Sequence, residues 1–118
     1  MTALNVVNVQ TINGKTAYAN LTTISANVIT NASNSNSLVK LNHITLANWS
    51  ASLVTANVNI ARGTSNYYIA GTVNIPSNST LTVLGKDTAT YLEEGDVLQS
   101  YASANASVHI FASYEIMS

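Results

Sequence analysis

Apolar and polar positions alternate with a two-residue period along much of this chain, the mark of strands that bury one face. From Leu53 to Ile60, Val54, Ala56, Val58 and Ile60 fall on one side, with Leu53, Thr55, Asn57 and Asn59 on the other. From Val108 to Met117, Val108, Ile110, Ala112, Tyr114 and Ile116 oppose His109, Phe111, Ser113 and Glu115. Tyr67 to Ile75 sets Tyr67, Ile69, Gly71, Val73 and Ile75 on one face after an Arg62-Gly63-Thr64-Ser65-Asn66 turn, which predicts a hairpin with the Leu53 strand. Pro76 ends that strand, and Ser77-Asn78-Ser79 forms a loop before Thr80 to Leu84. Gly85-Lys86-Asp87 signals a turn and Ala89 to Leu92 a short strand, while Glu93-Glu94-Gly95-Asp96 turns into a strand from Val97 to Tyr101. Val97, Leu98, Tyr101 and Ala102 after Asp96 also fit a helix, but the short-strand context favours a strand.

One stretch breaks the period. Val39 and Leu41 share a parity that Ile44 and Leu46 do not, so a regular strand from Leu38 to Trp49 would expose one pair. A bulge near Asn42-His43 restores both pairs to the core; two shorter strands are the alternative.

Asn13-Gly14 is the strongest hairpin signal in the chain, between Leu4 to Ile12 and Lys15 to Thr22. Leu4 and Val6 face oppositely to Val7 and Val9, so this region lacks a single core face and reads as an arm that pairs with a neighbouring subunit. Asn31 to Ser37 is a polar, low-complexity linker or long loop. The expected organisation is an N-terminal extended arm or hairpin with its linker over residues 1–36, then a domain over 37–118. Short strands separated by Gly, Asn and Ser predict an all-β antiparallel β-sandwich of jelly-roll-like form for that domain.

Composition narrows what such a sandwich can do. Ser, Thr and Asn supply 44 of the 118 residues, and only nine residues are charged. A soluble surface is usually roughly 25–35% charged, so this chain stays wet through neutral hydrogen bonding or covers its surface with neighbours. The net charge of −1 provides little self-repulsion and favours homotypic or heterotypic association, and a homo-oligomer is expected, a trimer being one form. Lys15, Lys40, Arg62 and Lys86 are scattered singly, which argues against nucleic acid binding. Cysteine is absent, so neither disulfides nor thiolate chemistry is available. No signal peptide and no membrane span are expected, because Met1 to Gln10 lacks a basic region with an unbroken apolar run and no window approaches 18 apolar residues.

The candidate chemistry is sparse. His43 and His109 lack the spacing to a second ligand that a metal site needs, so no metal or other cofactor is expected. Glu93 and Glu94 are adjacent at a turn and do not face each other as glycosidase carboxylates must; with Asp87 and Asp96 they read as solvated turn residues. No nucleophile elbow or phosphate-cradling glycine pattern occurs, and no enzymatic activity is expected. Asn-x-Ser/Thr triplets begin at Asn20, Asn31, Asn48, Asn78 and Asn105, about as many as composition alone yields. Trp49, Tyr67 and Tyr68 are the residues suited to stacking on a sugar or anchoring an interface, with one of Tyr67 and Tyr68 expected in the core and the other outside.

From Val39 onward the chain resembles small β-sandwich virion proteins of tailed bacteriophages, particularly those of marine and cyanobacterial hosts. The resemblance is carried by Asn-Ile-Pro-Ser-Asn-Ser from Asn74, Gly-Lys-Asp-Thr from Gly85, Tyr-Leu-Glu-Glu-Gly-Asp from Tyr91, Ala-Ser-Ala-Asn from Ala102 and the closing Ser-Tyr-Glu from Ser113. It implies a non-catalytic virion component: a capsid decoration or cement protein, or a neck, tail or baseplate accessory. Its expected partners are the major capsid protein or neck and tail proteins of the same particle. A carbohydrate-binding host-adhesion module is the competing expectation.

Overall fold

One antiparallel ribbon, folded at its middle and wrapped over itself, generates the architecture of the computed structural model, which describes residues 9–85 and 90–118. Its strands are β1 (Ile12–Asn20), β2 (Ala26–Thr30), β3 (Leu38–Asn48), β4 (Val54–Arg62), β5 (Ser65–Ile75), β6 (Ser79–Leu84), β7 (Thr90–Leu92), β8 (Asp96–Ala102) and β9 (Val108–Met117). Strands from the two halves of the chain pair in nested order: β1 with β9, β2 with β8, β3 with β6 and β7, β4 with β5. Wrapping divides the ribbon into a first sheet ordered β1-β9-β3-β6, with β7 also on β3, and a second ordered β2-β8-β4-β5. This strand order is that of a jelly roll, and all the pairings are antiparallel.

The alternation read from the sequence packs the space between the sheets. Leu41, Ile44, Leu46 and Ile110 from the first sheet meet Val58, Ile75 and Leu98 from the second, all at 0% exposure. The pairing of β3 with β9 slips between Leu41 and His43, and this bulge turns Val39, Leu41, Ile44 and Leu46 all inward. The hairpin of β4 and β5 turns at Gly63-Thr64, where Gly63 alone has a positive φ of 63°, as a type II′ turn requires. Val97 to Tyr101 lies within strand β8, not a helix.

Several expectations are corrected. Asn13-Gly14 is not a hairpin turn: β1 runs straight through it, with Asn13 opposite Ile116 and Gly14 opposite Glu115. Pairing with β9 extends Ala17 and Ala19 toward the core and outweighs the local turn preference. Residues 12–30 thus supply an edge strand to each sheet. The expected first arm of that hairpin, and the Gly85-Lys86-Asp87 turn, fall largely outside the described residues.

Nor does β5 keep one parity. Two register shifts against β4 put Ala70 and Ile75 inside, and Thr72 takes a positive φ of 48°. That conformation is strained for a β-branched residue, and the buried Asn57 holds it: its Oδ1 accepts from the Thr72 amide at 2.7 Å and the hydroxyl at 3.2 Å.

Buried asparagines also fasten the loops. Asn31 donates to the Ser37 and Leu92 carbonyls and accepts from the Ser35 hydroxyl, so the polar stretch after β2 is a pinned loop. Asn48, 2% exposed, donates to the carbonyls of Ser52, Ile75 and Pro76, tying the end of β3 to the far end of β5 in the other sheet.

Candidate functional site

The two sheets present different outer faces. On the first, Tyr18 of β1 stands directly opposite Phe111 of β9, with ring centroids 6.2 Å apart and planes tilted by 33°. One step along, Asn20 and Ala47 flank His109, whose ring lies 5.5 Å from the indole of Trp49 at a tilt of 36°. Outward parity on adjacent strands gathers these rings, and the tilted geometry suits aromatic quadrupoles. Tyr18 is 74% exposed and Trp49 53%, so the pairing leaves large apolar surfaces facing water. An open groove of about 400 Å³ is lined by Tyr18, Ala19, Asn20, His109 and Phe111. Its lining is apolar, with an amide and an imidazole as hydrogen-bonding groups.

On the second sheet, side-chain amides form a row across all four strands. Asn59 of β4 donates to Asn66 of β5 at 3.3 Å and to Gln99 of β8 at 3.2 Å, and Gln99 donates to Asn27 of β2 at 2.9 Å. Asn59 is directly opposite Gln99, and Gln99 opposite Asn27, so straight register makes the row over β4, β8 and β2, while Asn66 is reached diagonally because the β5 partner of Asn59 is Tyr68. Beside the row, hydrogen bonding of the Tyr101 hydroxyl to Tyr68, then burial, raise the Tyr101 pKa above its ordinary value. This face carries hydrogen-bonding groups where the first carries exposed aromatic rings.

Charge concentrates at one end of the second sheet. Arg62 Nε donates to Asp96 Oδ1 at 2.7 Å and Nη2 to Oδ2 at 2.6 Å, while Nη2 also reaches Glu93 at 2.9 Å. Asp96 is wholly buried, which corrects the reading of this turn as solvated: its carboxylate also accepts from the Glu93 amide at 2.9 Å. Burial pushes the Asp96 carboxyl up, but the Arg62 hydrogen bonds, the Glu93 amide and the Arg62 charge outweigh it and leave the pKa below the ordinary value. Both oxygens of this carboxylate are engaged in structural hydrogen bonds. Among the described residues no group of three His, Asp or Glu is placed to hold a metal ion, and no helix is long and apolar enough to cross a membrane.

The three residues singled out from sequence do not converge. Trp49 belongs to the first-sheet patch and Tyr68 to the second-sheet face beside Tyr101. Tyr67 and Tyr68 are both exposed, at 62% and 54%, correcting the expectation that one would be in the core. They pair with Ile60 and Asn59 near the hairpin tip, where the sandwich no longer covers them. Tyr18, Phe111 and Tyr101 were not singled out from sequence, and His109 was weighed only as a metal ligand. The outward parity of His109 and Phe111 was readable, but their meeting with Tyr18 depends on β1 pairing β9.

No protein-family model matches the chain, and no curated protein matches it. Among solved structures, one similar chain belongs to the disulfide-linked pili of Bacillus endospore appendages, at 10% identity and a TM-score of 0.43, covering 100% of this chain and 96% of that one. A likeness this slight bears on neither fold nor function, and the present chain has no cysteine.

Proposed function

We propose that this chain is a non-catalytic structural subunit of a larger particle, of the kind that decorates or cements the capsid of a tailed phage. The observation that carries the reading is the aromatic patch of Tyr18, Phe111 and Trp49, exposed on a chain with only nine formal charges. Such a surface loses free energy to water and gains it when covered, at about 25 cal/mol per Å² of apolar area. The resemblance of residues 39–118 to phage virion proteins supplies the particle type, and a jelly roll alone does not. The partners on this reading are the major capsid protein or neck and tail proteins, and the site of action is the virion. Mass spectrometry of purified particles tests it: a copy number comparable with the major capsid protein is expected for decoration. A handful of copies would move the chain to neck, tail or baseplate, and absence from particles would overturn the proposal.

The groove beside Tyr18, His109 and Phe111 favours a second reading, a carbohydrate-binding adhesion module, because aromatic faces with a neighbouring amide suit the apolar face and hydroxyls of a sugar. Sugar binding on a glycan array that is lost in Phe111→Ala and Trp49→Ala would support it over the first.

A further inference from the structure

Of the sandwich's sheet edges, three are interrupted. Along β5 there are two register shifts and the strained Thr72; β2 has five residues and a shift between Asn27 and Ile29; the edge beside β3 is divided between β6 and β7. Interruptions of this kind are how sheet proteins keep edges from pairing with other chains. Strand β1 has none. Its nine residues pair β9 through consecutive positions without a slip, it contains no proline, and Lys15 is its one charge.

Which backbone groups of β1 are free follows from its ends. Thr11 and Ser118 exchange both hydrogen bonds, and the Leu21 amide donates to the Val108 carbonyl. Antiparallel pairs alternate between bonded and non-bonded, so the odd-numbered residues of β1 turn toward β9. The N–H and C=O groups of Ile12, Gly14, Thr16, Tyr18 and Asn20 therefore point away from it, and among the described residues no strand pairs that edge.

We infer that this edge is an interface between two copies of the chain, joined antiparallel about a two-fold axis through Thr16 into one sheet that runs continuously across both. The sequence of β1 is self-complementary in that register. All nine residues overlap, Ile12 lies opposite the partner's Asn20, Gly14 opposite the partner's Tyr18, and Thr16 opposite its own copy, a favourable cross-strand pair. Lys15 lies opposite the partner's Ala17; moving the axis to Lys15 sets the two ammonium groups against each other, and moving it to Ala17 shortens the overlap. A Cβ at Gly14 would meet nothing within 4 Å, so the space above it is open and accepts the partner's Tyr18 ring, as aromatic residues cover glycines in strands. The pairing rests on edge geometry and not on the particle reading: absence from virions would leave the dimer intact, and a monomeric virion protein would remove only the dimer.

Sedimentation of the purified full chain tests it. The wild type is expected to sediment as a dimer, and Thr16→Lys and Thr16→Glu each as monomers, because the axis sets like charges against one another. An equimolar mixture of these two variants is expected to recover the dimer, since residue 16 meets only residue 16. Thr16→Pro removes a free-edge N–H while sparing every β1–β9 hydrogen bond, so it is expected to lose the dimer and keep the thermal melt of the wild-type monomer. A wild type that stays monomeric at all concentrations, a dimer that survives in these variants, or a mixture that stays monomeric would each overturn the pairing.

Discussion

Arg62 grips the buried carboxylate of Asp96 across the β4–β8 ladder with hydrogen bonds of 2.7 and 2.6 Å, at the point where the two residues are register partners. The arrangement is asymmetric, because the Arg62 side chain is 50% exposed and the Asp96 side chain 0%. Removing Arg62 strands a buried anion, whereas removing Asp96 leaves a guanidinium that water can solvate. Arg62→Met is therefore expected to cost about 3 kcal/mol and Asp96→Asn distinctly less, with the double variant recovering part of the loss, in urea unfolding curves.

The same pair is expected to set the acid limit of stability. Asp96 has a lower pKa folded than the ordinary 3.8, so its contribution is fully present above that value and is lost as pH falls through the folded pKa. Unfolding midpoints are expected to show no Asp96-dependent slope near neutrality and a fall below pH 4. Arg62→Met should flatten that acid limb; an unchanged limb would assign it to other carboxyls.

Asn48 faces three carbonyls with one Nδ2. Asn48→Asp preserves shape but replaces these donors with lone pairs, and is expected to destabilise more than Asn48→Ala, whose cost is about 1–3 kcal/mol. Thermal melts of the two variants decide the order. If alanine proved the worse, volume and not hydrogen bonding would be what this residue supplies.

Asn59 donates to both neighbours in the amide row while only 2% exposed. Asn59→Leu leaves the Gln99 and Asn66 oxygens without this donor and is expected to cost about 1–3 kcal/mol. Gln99→Ala should cost less, because Gln99 is only half-buried. A double-mutant cycle by chemical denaturation measures the coupling.

Tyr18 and Phe111 touch each other on an outer face, away from the core. Tyr18→Ser and Phe111→Ser are expected to change unfolding free energy by little more than about 0.5 kcal/mol, the range for surface positions. On the proposed function, Phe111→Ser nonetheless reduces incorporation into particles, read by quantitative mass spectrometry. Normal incorporation would locate the contact surface elsewhere on the chain.

The strands of residues 38–117 were legible because most bury one face against a facing sheet, and burial imposes a two-residue period that only bulges such as those of β3 and β5 interrupt. Even the β3 bulge was written there, since two apolar pairs of opposite parity, Val39 with Leu41 and Ile44 with Leu46, cannot both be buried without a slip. Sequence failed where a partner distant along the chain overrode local preference. Asn13-Gly14 is a turn by itself and a strand beside Ile116 and Glu115; Gly71-Thr72 looks regular until Asn57 reaches across from β4. The aromatic patch lay beyond sequence for the same reason: Tyr18 and Phe111 are 93 positions apart, and only the nested pairing of β1 with β9 makes them neighbours. Local alternation determines which side chains face inward, while the pairing of strands distant in sequence decides which exposed side chains stand together.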